Sequence, residues 1–265
     1  MRTLKLTIAY DGTRYAGWQI QNNSTKQSAV SSKQKPARTT PTIQETVERV
    51  LGRILQERVR VVASGRTDAG VHALAQVAHL KTRSNVSCER LLRSVNQLLP
   101  HDLAVTKIEE AQKTFHARFS PSRKRYRYRM FTGPVVPPFI RPYVHHVRTS
   151  LDLALMRREA AGLNGGHDFK GFARRGGRGR ATTRRTISSI TLKRSGPELH
   201  LDVEGNGFLH TMVRSIAGTL MDIGRGRLPA GTVHHLLRSG ERTLAGTTAP
   251  AKGLSLISVQ YADDR

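Results

Sequence analysis

Carboxylates are scarce in this chain. Only 19 Asp and Glu stand against 44 Lys and Arg, a formal net charge of +25. That excess is well beyond what solubility asks of a domain. It predicts a polyanionic partner, because each phosphate that a cation neutralises releases counterions. Cysteine is nearly absent as well, with Cys88 the only one. An internal disulfide and any cysteine-based zinc cluster are therefore excluded. Long apolar runs are missing, and none approaches the roughly 20 residues a membrane-spanning helix needs. The opening stretch, Met1 to Thr7, alternates polar and apolar residues and lacks the continuous apolar core of a signal peptide. Clustered carboxylates that could hold Mg²⁺ are not found. Histidines 145 and 146, and 234 and 235, are adjacent rather than at helical metal-pair spacing. We read them as structural or nucleic-acid-facing, because metal pairs on a helix sit further apart. The expectation is a cytoplasmic, nucleic-acid-binding protein without a metal.

What is present first describes an α+β chain. At 265 residues, 37% of them hydrophobic, it can form one large or two small domains around a real core. Leu4, Leu6 and Ile8 alternate with polar residues and predict a strand. Thr42 and Glu45 have capping-box spacing, and Ile43, Val47, Val50, Leu51, Ile54 and Leu55 behind them form a helical stripe. Two strands follow, then a helix over Leu91, Leu92, Val95, Leu98 and Leu99 that Pro100 stops. Leu103, Val105 and Ile108 mark another strand. Strand, helix, two strands, helix, strand is the order of a split βαβ unit. The second half repeats the style. A strand runs through Tyr126, Tyr128 and Met130, and a helix through Leu155 to Leu163. A hairpin turns at Gly196-Pro197. A helix over Phe208, Met212, Ile216 and Leu220 closes at Gly224, a short helix covers Val233 to Leu237, and a last strand ends near Tyr261. The boundary falls near Lys113, giving halves 1–112 and 113–265.

Two segments read as irregular. Asn22–Thr40 is polar with almost no apolar residue, a composition expected to stay mobile. Lys170–Arg185 carries Arg174, Arg175, Arg178 and Arg180 among glycines and no acid. Its Arg-Gly texture favours contact with an RNA backbone.

One carboxylate stands apart from this basic background. Ser64-Gly65-Arg66-Thr67-Asp68-Ala69-Gly70-Val71-His72 joins two apolar runs, which predicts a glycine-bearing loop between strands. The residue types permit two readings of Asp68. It can hydrogen-bond its own turn, or it can be presented as an ionised nucleophile to whatever the basic surface binds.

The string Gly65 to His72 is similar to the signature of the tRNA pseudouridine synthases that act on the anticodon stem-loop, the TruA family. Five further motifs resemble that family in order. They are Tyr10-Asp11-Gly12 with Tyr15-Ala16-Gly17-Trp18-Gln19, then Phe115 to Ser120, Lys124 to Tyr128, His167-Asp168-Phe169, and Asn206 to Arg214. Ala249 to Leu254 also fits. The resemblance implies two ferredoxin-like (RRM-like) α+β halves whose antiparallel sheets lie side by side around a central active-site cleft. It implies Asp68 as nucleophile and Arg214 beside it, where a guanidinium favours a charged carboxylate. Arg66 is implied to occupy the place of the flipped base, and Tyr126 to stack on the flipped uracil and help remove the C5 proton. Tyr128 is read as core. Arg125, Arg127 and Arg129 alternate to the opposite face. Arg174, Arg175, Arg178 and Arg180 are expected to bind RNA.

No cofactor is expected, since the isomerisation brings in no group and oxidises nothing. tRNA is the implied partner, bound by a homodimer. Attack at ribose C1′, attack at uracil C6 and ribose proton abstraction all stay open as routes. The competing class is a non-catalytic basic RNA-binding protein with RRM-like sheets. Two departures from the family pattern stand out. Gly171 occupies a position where a serine is expected, and Asn22–Thr40 is long.

Overall fold

The computed structural model describes residues 1–20, 40–174 and 182–262. In the first half, β1 (Arg2–Tyr10) is followed by α1 (Ile43–Leu55), β2 (Val62–Ala63), β3 (His72–Thr82), α2 (Cys88–Leu98) and β4 (Leu103–Ala111). In the second, β5 (Pro121–Phe131) leads to β6 (His145–His146), α3 (Leu153–Ala161), β7 (Gly165–Asp168), β8 (Arg184–Ser195) and β9 (Glu198–Gly205). Then come α4 (Met212–Gly224), α5 (Thr232–Ser239) and β10 (Leu254–Tyr261). No helix among the described residues is long and apolar enough to cross a membrane.

The strands form a single mixed sheet in the order β4-β1-β3-β10-β5-β9-β8-β7, with β2 also on β3 and β6 on β5. Within each half, four strands run in split βαβ order: β4-β1-β3-β2 and β10-β5-β9-β8. The expectation of two antiparallel sheets side by side needs one correction, since they join into a single mixed sheet, and β10 supplies the reason. Its Ser255 and Leu256 pair in parallel with His72 and Ala73 of β3, while its other edge pairs antiparallel with β5. β2 is short because it reaches only His79 and Ala78 of β3. β10 takes the part of that edge which β2 leaves. The segment between β2 and β3 therefore leaves the sheet at the seam between the halves.

Local chemistry explains the elements that carry this frame. Thr42 caps α1 by accepting from the Glu45 N–H at 3.2 Å, and Ile43, Val47 and Leu51 are buried. Ser87 caps α2 in the same way, and Leu91 and Val95 are fully buried. One continuous apolar core runs from Leu4, Leu6 and Ile8 to Leu201, Leu220 and Leu256. Truncating any of these leucines to alanine would cost about 2–5 kcal/mol.

Helix α4 differs from the periodic expectation at its start. Phe208 lies outside it, because Thr211 takes a left-handed backbone, φ +62°, that ends helical geometry before Met212. Gly224 is the last helical residue, seated against the Met156 side chain. Gly171 is buried against α5, where a Cβ would stand 3.0 Å from the Leu236 carbonyl oxygen. The glycine thus fits the close approach of α5. Residues 22–39 and arginines 175, 178 and 180 lie outside the described residues.

β5 has two unlike faces. Lys124, Tyr126, Tyr128 and Met130 point one way. On the other, Arg123 pairs with Glu204, Arg125 and Arg127 with Asp202, and Arg129 with Glu198, all on the neighbouring β9. Burial opposes ionisation of Asp202, but hydrogen bonds from Arg127 and Arg125 hold its carboxyl below the ordinary value. His145 and His146 form β6 alongside Met130 and Phe131. Burial, with Arg225 and Lys252 nearby, pushes His145 down to about 4.

Candidate active site

The loop from Ser64 to Val71 is held from four directions. The Ser64 N–H donates to the Val77 carbonyl at 2.8 Å, the last ladder bond before the chain leaves the sheet. Gln76 is fully buried; it accepts from Ser64 Oγ at 2.7 Å and donates to the Gly65 carbonyl at 3.0 Å. Thr67 shares a 2.8 Å hydroxyl hydrogen bond with Tyr10, and its carbonyl accepts from the Trp18 N–H at 3.1 Å. Burial pushes the Tyr10 phenol up to about 12, so this hydroxyl stays neutral. From β5, the Lys124 ammonium donates to the Ser64 carbonyl. Burial, with Arg118 and Arg185 nearby, lowers Lys124 to about 8.

These bonds explain the N-terminal motif, which is a seat for the loop. Gly12 lies so close beneath it that a Cβ there would stand 2.1 Å from the Val71 carbonyl oxygen. The loop then turns through a hydrogen bond from the Val71 N–H to the Asp68 carbonyl, 3.2 Å, with Gly70 at φ +76°. That left-handed position favours glycine.

The fixed turn leaves the Asp68 side chain about 20% exposed, between two side chains from the segment that opens α4. Arg214 Nη1 donates to Asp68 Oδ2 at 2.8 Å. His210 Nε2 lies 3.3 Å from Oδ1. Arg214 is itself anchored: its Nε donates to the Ala249 carbonyl at 2.8 Å, and its own carbonyl accepts from the Ala249 N–H at 3.1 Å. The strand-like passage of residues 246–249 over α4 depends on Gly218, where a Cβ would fall 1.7 Å from the Thr247 carbonyl oxygen. A side chain there would push the Ala249 anchor away from Arg214.

Tyr126 is buried in β5, and its ring meets Phe208 edge-on at 5.2 Å. Burial first, then the nearby Tyr10 and Asp68, raise its phenol well above the ordinary value, so it is a neutral hydroxyl at physiological pH. Tyr128 is fully buried and donates to the Pro250 carbonyl at 3.0 Å, a core position. Arg66 is exposed and has no carboxylate at ion-pair distance among the described residues. Arg174 lies near Arg214, on the wall of a cavity of about 850 Å³.

Sequence reasoning did not assign His210, Lys124, Gln76 or Phe208 to this site. His210 and Phe208 share a motif with Arg214, which was the available signal. Lys124 lies two residues before Tyr126, and strand alternation puts both on one face. Gln76 carries no local signal, since its partners are twelve and eleven residues away across a loop.

Such a site can hold one carboxylate still, with a guanidinium on one oxygen and an imidazole near the other. A flat aromatic wall stands beside it, in a rim that carries few competing acids.

Comparison with known proteins gives the same chemistry a family. A family model described as tRNA pseudouridine synthase matches residues 6–120 and 160–262. A protein named tRNA pseudouridine synthase A from Pelobacter propionicus is 42% identical over 261 residues, covering 98% of this chain and all of that one. Its namesakes from Moorella thermoacetica and Ruminiclostridium cellulolyticum are 41% and 39% identical over the same coverage. Asp68 and its neighbours thus sit in a chain that is matched nearly end to end, and that chain belongs to the tRNA pseudouridine synthase family.

Proposed function

We propose that this chain isomerises uridine to pseudouridine in the anticodon stem-loop of tRNA, at positions 38, 39 and 40, with Asp68 as the nucleophile. The observation that carries the reading is the 2.8 Å pair between Asp68 and Arg214, which joins residues 146 apart in sequence at the seam of the sheet. In the reaction the bond from uracil N1 to ribose C1′ breaks and a bond from C5 to C1′ forms. The C5 proton leaves and N1 gains one. In each chemical route the acid must be ionised beside the sugar or the base, and Arg214 holds it in place by a 2.8 Å hydrogen bond. Tyr126 supplies the face on which the flipped uracil stacks, a contact worth about 1–3 kcal/mol. Arg66, exposed and with no acid at ion-pair distance among the described residues, fills the space the base leaves and offsets part of the flipping cost. Arg174, Arg175, Arg178 and Arg180 hold the RNA backbone.

In this reading the halves 1–112 and 113–265 contribute Asp68 and its partners respectively, and the enzyme works in the cytoplasm. It works as a homodimer, with tRNA lying across both copies. Support for an assembly surface comes from Val135 and Phe139, large apolar side chains 73% and 89% exposed on the segment after β5.

The test is tritium release from unmodified tRNA carrying 5-³H-uridine. Asp68→Asn should reduce release by about a thousandfold or more, roughly 4 kcal/mol of barrier, and leave tRNA binding intact or slightly tighter. Release near wild type would remove Asp68 from the mechanism. Tight binding with no release by the wild type would instead describe a non-catalytic RNA-binding protein.

A further inference from the structure

The cavity behind Arg214 is a second feature of this site. Its wall carries three guanidinium groups, Arg174, Arg214 and Arg242, and three hydroxyls, Thr211, Thr243 and Thr248. Arg214 alone among these cations has a carboxylate partner, Asp68. Among the described residues, neither Arg174 nor Arg242 has an acid within ion-pair distance. Glu241 also lines the wall and pairs with neither. Arg242 is nonetheless fixed in place. Its Nη2 donates to Thr248 Oγ1 at 2.8 Å and its Nη1 to the Gly246 carbonyl at 3.2 Å. Burial disfavours its charge, and among the described residues no acid within ion-pair distance offsets that burial. On the same wall, Thr211 precedes α4 without making a side-chain cap, and its Oγ1 is buried without a partner.

A fixed guanidinium, a second guanidinium, the unpaired Thr211 hydroxyl and the first turn of a thirteen-residue helix together match an anion with several oxygens. The position narrows the choice. Arg214 touches Asp68 with one terminal nitrogen and borders the cavity, so an anion there lies one guanidinium away from the reacting carboxylate. On the function proposed above, the group at that remove from the target ribose is its own phosphodiester. We infer that the pocket formed by Arg242, Arg174 and Thr248 binds the phosphodiester adjoining the target uridine. It fixes the backbone of the flipped nucleotide while Tyr126 and Asp68 engage base and sugar. Such a contact positions the substrate and carries no sequence information.

The experiment is a binding cycle with synthetic anticodon stem-loops that carry one uncharged methylphosphonate at successive linkages. Arg242→Gln should weaken binding of the unmodified stem-loop about tenfold and reduce the salt slope by about 0.7. One neutral linkage beside the target uridine should weaken the wild type by a similar factor and weaken Arg242→Gln no further. Arg174→Gln, whose side chain makes no hydrogen bond to described residues, should show the same non-additivity without disturbing residues 246–249.

Additive losses at every linkage, in both variants, would overturn the assignment. So would displacement of RNA by inorganic phosphate at matched ionic strength with no linkage effect, which marks a free-anion site. Tritium release by the wild type on the unmodified stem-loop separates the two ideas. Release with additivity removes the pocket alone, and absence of release removes the proposed reaction.

Discussion

The two faces of β5 use positive charge in opposite ways. On one, four arginines face three acids of β9 at 2.7 to 3.3 Å. On the other, Lys124 stands with no acid at ion-pair distance among the described residues, beside Tyr126 and at the base of the Asp68 loop. The lesson concerns what a basic chain does with its few carboxylates. On this face the answered arginines join β5 to β9. Lys124, left unanswered, instead holds the Asp68 loop through the Ser64 carbonyl. Net charge therefore overstates the free positive charge on the β5–β9 face, where each of these arginines is paired with an acid.

The largest effect that sharpens this contrast is catalytic. Arg214→Gln should lower single-turnover tritium release at saturating RNA by about a thousandfold, while Arg127→Gln should stay within about threefold. An equal loss in both would break the distinction between an arginine paired at the site, with Asp68, and one paired across strands, with Asp202. Next in size is Asp202→Ala, which leaves Arg125 and Arg127 without their acid. Breaking a fully buried pair costs about 3–5 kcal/mol. Here the two arginines are 41% and 31% exposed, so urea denaturation should show a loss of about 1–3 kcal/mol. The folded fraction should keep its rate.

Lys124→Met tests the opposite face. It removes a buried cation, so stability at pH 7 should rise by about 1–2 kcal/mol, and turnover should fall severalfold as Ser64 loses its donor. Wild-type pH dependence follows from the same group. Unfolded, Lys124 keeps its proton to about its ordinary 10.5, and folded it loses it near 8. Between those values the unfolded chain binds more protons, so unfolding free energy rises with pH there. Denaturation at pH 7 and pH 9.5 should show the rise in the wild type and not in Lys124→Met. The smallest effects come from exposed cations. Arg123→Gln should change stability by less than about 0.5 kcal/mol and leave the salt slope of RNA binding unchanged. Arg66→Gln should reduce that slope by about 0.7.

Much of the local order could be read from the chain because local rules wrote it. Thr42 and Glu45 announce the α1 cap, Leu91 and Val95 the buried stripe of α2, and the arginine alternation of β5 its polar face. Elements set by distant partners left little trace. β7 is four residues, two of them glycine, and takes its strand form from β8. The i, i+4 spacing of Phe208 and Met212 continues a helical pattern across Thr211, whose backbone does not continue the helix. A single sheet could not be inferred, because the β3–β10 pairing joins His72 to Ser255 and no periodicity spans that distance. The site divides likewise. The motifs pointed to Asp68, Arg214 and Tyr126. The unanswered Arg242 shows only when residues 242–248 are seen folded back on the start of α4.

The order in which the ribosome delivers this chain gives β10 a further consequence. Asp68 and its seat of Tyr10, Trp18 and Gln76 are all made early, yet the strand that borders His72 on the sheet edge is made after every other described strand. Until Leu254–Tyr261 emerges, β3 carries an open edge beside the loop, and β5 has no route to it. Closure of the sheet beside the Asp68 loop therefore waits for the last described strand, however early the loop and its seat are made.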